Sequence, residues 1–231
     1  LDPGLTMHVA VVTTSFPDAT PGSEAAGGFV ADFVARLADY VEVTVVAAAS
    51  SDDKAREGRV DVRRFAVPRL PLSLLRPLDP RDWSAIIGTI QRGNRAVQEL
   101  VSERRPDHIL ALWALPSGYW AAGATRRAGI PYSIWALGSD IWGLGRVPVV
   151  RGVLRRVLQG ASHCFADGLQ LAQDVESISG RGCDFMASSR QLHDPGAGRA
   201  ATSAPYRLAF LGRWHPNKGI DLLLDALESL D

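Results

Sequence analysis

Five short apolar runs, interleaved with segments of helical spacing, set the limits on what this chain can fold into. MHVAVVT (7–13), VEVTVVAAA (41–49), DHILALW (107–113), PYSIWAL (131–137) and ASHCFA (161–166) are rich in β-branched residues or alanine and carry little charge. Unbroken apolar runs of that length suit strands buried on both faces, as in a parallel sheet. Between them, FVADFVARLADY places apolar residues at 29, 30, 33, 34 and 37, one face of a helix. Further helices are expected at about 82–104, 118–129, 149–159 and 169–179. RVDVRRFAV (59–67) alternates like a half-exposed strand, and CDFMA (183–187) reads as a last short one, giving seven strands before residue 190. Strands that alternate with helices form βαβ units, so the expected fold class is α/β, a doubly wound, mostly parallel sheet. Right-handed crossovers then put helices on both of its faces.

The polar, Gly/Ala/Pro-rich stretch SRQLHDPGAGRAATSAP (189–205) reads as an interdomain linker between a first domain, 7–188, and the start of a second. In that second part YRLAFLGRW (206–214) is expected to be a strand leading into an amphipathic helix that runs towards residue 231. With 46% hydrophobic and 22% charged residues over 231 positions, the chain can build a full core. Its formal net charge of zero gives no electrostatic footprint for nucleic acid or a polybasic anchor. Cys164 and Cys183 make no disulfide framework or metal cluster and read as buried, reduced thiols, which suits a cytoplasmic setting. The five histidines lack zinc-site spacing. No run of 18 apolar residues is found, and no segment has the pattern of a signal peptide.

In an open α/β sheet the ligand sits beyond the carboxyl ends of the strands, which directs attention to four loops. Gly27-Gly28 is expected to open a helix, where free N–H groups and the positive dipole end suit an anion; a plain flexible entry loop is the competing reading. In WALPSG (113–118), Trp113 leaves a strand tip and could stack on a sugar face or pack in the core, while Ser117 starts a helix. Gly138-Ser139-Asp140 ends a strand, with Asp140 holding a hydroxyl-rich ligand or capping the turn. Gly212-Arg213 and Lys218-Gly219 put two permanent cations near a helix start, a pairing that favours a diphosphate; two solvated surface charges are the bland alternative. Neither GxGxxG nor a Walker A pattern nor GxSxG occurs, which disfavours an epimerase or dehydrogenase of the dinucleotide type, a P-loop NTPase and a serine hydrolase. Finally, VPRLPLSLLRPLDP (67–80) has too many prolines for a regular helix. It reads as an apolar flap over an acceptor groove, as a membrane-facing segment probed at Leu72 and Leu75, or as a loop packed on its own core.

Taken in order, HVAVVTTSFP…GGFVADFVARLADYVEVTVVAA, DHILALWALPSG, IPYSIWALGSDIWGLG and YRLAFLGRWHPNKGIDLLLDAL resemble retaining glycosyltransferases of family 4, of GT-B fold. The resemblance covers residues 7–231 and implies an amino-terminal, acceptor-binding Rossmann-like domain followed by the first strand and helix of a truncated nucleotide-sugar domain. It implies transfer of a hexose from a nucleotide-sugar to a carbohydrate, glycolipid or small glycoside acceptor. By resemblance, Arg213 and Lys218 neutralise the departing diphosphate, and Gly27, Gly28 and Gly212 approach the donor. Trp113, Ser117, Gly138, Ser139 and Asp140 would face the acceptor. No cofactor or metal is expected, because no DxD motif is present. Where many relatives carry histidine, this chain has Leu112 and Leu137, so no histidine is assigned to either sugar. The resemblance further implies a fragment inactive by itself, with a non-catalytic binding half completed by a second chain as the alternative. The small core available to 206–231 makes self-association a further expectation. Peripheral contact with the inner face of a membrane is a further expectation.

Overall fold

The computed structural model describes residues 7–18, 24–191, 205–206, 208–211 and 218–230. The chain divides into two units, 1–191 and 192–231, each described by itself.

The first unit opens with β1 (His8–Thr13), buried along its whole length, then α1 (Glu24–Leu37), β2 (Glu42–Ala49), β3 (Asp53–Glu57) and β4 (Val60–Ala66). Two short 3-10 turns, Leu72–Leu74 and Pro80–Asp82, lead to α2 (Trp83–Arg104). There follow β5 (His108–Leu112), α3 (Ser117–Ala128), β6 (Tyr132–Ala136), a single π-type turn at Ser139–Gly143, α4 (Pro148–Gly160), β7 (His163–Ala166), α5 (Leu169–Ser179) and β8 (Asp184–Phe185). The strands form one sheet in the order β3-β4-β2-β1-β5-β6-β7-β8. Every pair is parallel except β3 with β4. The doubly wound α/β class read from the sequence is therefore the fold observed. The sheet has eight strands rather than seven. The additional one, β3, is DKARE, whose charged, exposed residues carry no alternation a pattern could find. An antiparallel charged strand of this kind is how sheet edges avoid pairing with other chains.

Burial separates two clusters, one on each face. The first gathers residues of α2, α3, α4 and α5 against β5, β6 and β7, with Trp120, Leu100, Leu154 and Val175 among its most buried members. Its packing is close: a Cβ on Gly93 of α2 would fall 2.2 Å from the Trp120 ring, so only glycine lets α2 lie against α3 there. The second cluster sets Val30 and Val34 of α1 against Val9, Val11, Val43, Val45, Val62 and Leu112.

In the second unit the helix is observed as α6 (Ile220–Glu228), entered through Gly219 at φ 72. The strand expected over 206–214 is not formed at 208–211, which carry no ladder and are exposed. A strand needs partners for its N–H and C=O groups, and no other strand lies among the described residues of this unit.

Candidate functional site

The chain leaves β1 towards β2, β4 and β3 on one side and returns to β5 on the other. In open α/β sheets such a reversal, here beyond the carboxyl ends of β1 and β5, is the position where ligands are taken. One wall is the start of the β1–α1 connection, Thr14 to Asp18. The other is the β5–α3 turn that begins at Trp113.

The first wall is held from two directions. The Arg64 guanidinium, only 8% exposed, donates from Nη2 to the Pro17 carbonyl at 2.7 Å and lies over the Phe16 ring at 5.8 Å. From α1, a Cβ at Gly27 would meet the Phe16 backbone at 2.8 Å. Gly27 and Gly28 do not open the helix as expected: α1 begins at Glu24, so both glycines sit a turn inside it and are buried. The free N–H groups belong to the residues at the very start of a helix. The glycines serve close approach instead, Gly27 to the Phe16 backbone and Gly28 to the guanidinium of Arg190, whose Nη1 is 2.4 Å from where a Cβ would stand. Arg190 in turn donates from Nε to Asp32 at 2.9 Å, and the Gln191 N–H donates to the same carboxylate at 3.0 Å. A half-exposed cation thus lies on α1 beside the glycines. No local pattern announces it, because its partner is 158 residues away.

The second wall is strained. Trp113 has φ 68, a region non-glycine residues seldom adopt. Three hydrogen bonds fix it. Trp113 N–H donates to the Trp135 carbonyl at 2.9 Å, Gly118 N–H donates to the Trp113 carbonyl at 3.2 Å, and Ala114 N–H donates to Asp140 Oδ2 at 2.6 Å. The half-buried Trp113 ring meets Phe29 of α1 edge-on at 6.1 Å. Phe29 and Phe33 pack on Trp135 at 6.2 and 5.0 Å. An aromatic group therefore lies between α1 and the ends of β5 and β6.

Asp140 is 2% exposed, so its carboxylate does not face the rim as an acceptor contact; it holds the Trp113 turn. Burial pushes its pKa up to about 6, against the lowering effect of the Ala114 N–H and neighbouring backbone donors. Its Oδ1 and the Ser117 hydroxyl are buried with no hydrogen-bond partner among the described residues. Ser117 is fully buried, so it too is closed to a ligand here. Gly138, at φ 99, lets the chain turn under the Trp142 ring, and Ser139 beside it is exposed. Leu112 is a core side chain and Leu137 is half-buried against the same cluster. Cys164 is buried and Cys183 half-buried; burial lifts their pKa values to about 11 and about 12, which keeps both as neutral thiols.

In the second unit Lys218 is exposed two residues before α6. Gly212 and Arg213 lie outside the described residues.

The sheet order defines a doubly wound, Rossmann-like α/β domain. Sucrose-phosphate synthase from Thermosynechococcus elongatus shares the fold with a TM-score of 0.59 at 14% identity, over 78% of this chain and 48% of that one. An α,α-trehalose-phosphate synthase (UDP-forming) from Burkholderia vietnamiensis aligns at 0.52 and 14%, over 75% and 42%. UDP-N-acetylglucosamine 2-epimerase from Rickettsia bellii aligns at 0.50 and 12%, over 80% and 45%. The chain thus spans about half the length of these structures. At such identities the likeness is one of fold, and the fold hosts both transferases and an epimerase. The chain belongs to the glycosyl transferase 4-like domain family, whose pattern matches residues 8–182. No curated protein matches it in sequence.

Proposed function

We propose that this chain supplies the acceptor-side half of a site that moves a hexose from a nucleotide-sugar to a carbohydrate, glycolipid or small glycoside, with retention of configuration and without a metal. The observation that carries this reading is the β1/β5 reversal of the sheet, flanked by Phe16 and the α1 glycines and by the strained Trp113, in a chain of this family. A strained aromatic at a rim suits stacking on a sugar face, because the ring offers a rigid apolar plane at little entropic cost. Asp140 acts as a positioning residue through the Ala114 N–H. The family resemblance assigns Arg213 and Lys218 to the negative charge that grows on the diphosphate as the sugar leaves. Fixed cations lower the barrier at such a point because they need no reorganisation.

The test is calorimetric titration of the chain with a panel of glycosides, sugar phosphates and nucleotide-sugars, alongside Trp113→Ala. Binding of a saccharide that weakens tenfold or more in the variant supports the reading. No binding by any of them, or equal binding by the variant, overturns it. In material that turns over, acceptor-dependent release of nucleoside diphosphate and an unchanged anomeric configuration in the product test the transfer and the retention.

A further inference from the structure

The Pro/Leu-rich segment that links β4 to α2 is ordered in an unusual way. Asp82, 2% exposed, accepts from Arg69 Nη1 at 2.6 Å and from the Arg76 N–H at 3.0 Å, and Arg76 also pairs with Asp79 at 2.7 Å. Trp83 Nε1 donates to the Pro77 carbonyl at 2.9 Å. These bonds pin both ends of the loop to the start of α2. The hydrogen bond that Asp82 accepts from the Arg76 N–H, with the Arg69 charge, holds its carboxyl below the usual range, so the clasp stays ionised.

What the clasp displays is apolar. Leu74 is 64% exposed, Leu78 76%, Trp83 53% and Ile87 55%. Trp83 is bonded to Pro77, the residue before Leu78, and Ile87 lies one helical turn after Trp83 on the same face. Leu72 and Leu75, the residues expected to reach outward, are half-buried, with Leu72 packed on the first core cluster. Between 67 and 92 four arginines (69, 76, 81, 92) stand with two aspartates (79, 82), an excess of two positive charges in a chain of zero net charge.

We propose that this clasped loop and the first turns of α2 dock on an anionic lipid surface, with Leu74, Leu78, Trp83 and Ile87 entering the headgroup boundary and Arg81, Arg76 and Arg69 meeting lipid phosphates. Exposed leucine and tryptophan ringed by arginine is the composition of an interfacial anchor; among the described residues no helix is long and apolar enough to span a membrane. The proposal does not rest on the transferase reading. Joined to that reading, it selects a lipid-linked acceptor, because α2 begins on the same carboxyl side of the sheet as the β1/β5 reversal.

The experiment is flotation of the full chain with vesicles of phosphatidylcholine alone and of phosphatidylcholine mixed with phosphatidylglycerol. The chain should float with the anionic vesicles, less so as salt rises. Leu78→Asp with Ile87→Asp should lower binding at least tenfold, and Arg81→Gln about fivefold, the effect of roughly one arginine near a charged bilayer. All three positions are exposed, and circular dichroism checks that the variants remain folded. Failure to float, equal flotation with neutral vesicles, or undiminished binding by the double variant would each overturn the proposal. So would a dimer in light scattering that the double variant breaks, with no vesicle binding, since the patch would then be covered by a second copy. The vesicles carry no sugar, so these outcomes leave the saccharide titration untouched.

Discussion

Helices α2 to α5 pack side by side on one face of the sheet, whereas among the described residues α1 alone reaches the other. The four-helix face is densely packed, with Gly93 admitting Trp120 and the Trp120 Nε1 hydrogen satisfied by the Ile90 carbonyl at 3.1 Å. The α1 face ends at the carboxyl rim in half-buried aromatics, two glycines and Arg190. The difference teaches where each kind of residue is spent. One face holds the domain together, and the other carries the rim at the β1/β5 reversal that we propose as the ligand site.

Substitutions should expose that division. Trp120→Ala, on the dense face, should cost about 3–5 kcal/mol of stability by urea unfolding, the usual cost of a deleted buried aromatic. Asp140→Asn tests the clasp beneath the rim. The folded-state pKa of Asp140 is lifted from 3.8 to about 6, so the native state holds a proton that the unfolded chain releases. Stability should therefore fall as pH rises from about 4 through 6, by on the order of 3 kcal/mol for a two-unit shift. Asn at this position should remove that part of the slope, measured as unfolding midpoints between pH 4 and 8. Gly27→Ala should cost roughly 1–3 kcal/mol, because the new methyl presses on the Phe16 backbone rather than on a movable side chain. Gly28→Ala should cost less than about 1 kcal/mol, since the Arg190 side chain can swing aside. If Gly28→Ala keeps its stability yet loses saccharide or nucleotide-sugar affinity, the rim is separated from the scaffold; equal stability costs at both glycines would blur the comparison.

Much of the sheet was legible because buried parallel strands write themselves as apolar runs, and β1, β2, β5 and β6 fell where those runs lie. β3 was not, because an edge strand of charged residues has no hydrophobic period. The rim was legible only in part. Trp113, Gly27 and Gly28 were marked by type and place, but the roles of the glycines depend on what stands opposite, Phe16 and Arg190, and only the folded chain brings those near. Asp140 reads in sequence as a loop carboxylate; its burial and its bond to Ala114 follow from the packing of two turns 26 residues apart. The outward face of the Pro/Leu loop was likewise shifted, because Asp82 fixes its rotation from a distance.

The most direct test of the account uses the six tryptophans as reporters, through the indole N–H resonances of labelled protein titrated with a bound saccharide. Trp113 should move most, and Trp135 should follow through Phe29. Trp120 on the dense face, and Trp83 and Trp142 on the surface, should stay still. A shift confined to Trp120, Trp83 or Trp142 while Trp113 remains fixed would contradict the claim that the rim at the β1/β5 reversal is where this domain takes its sugar.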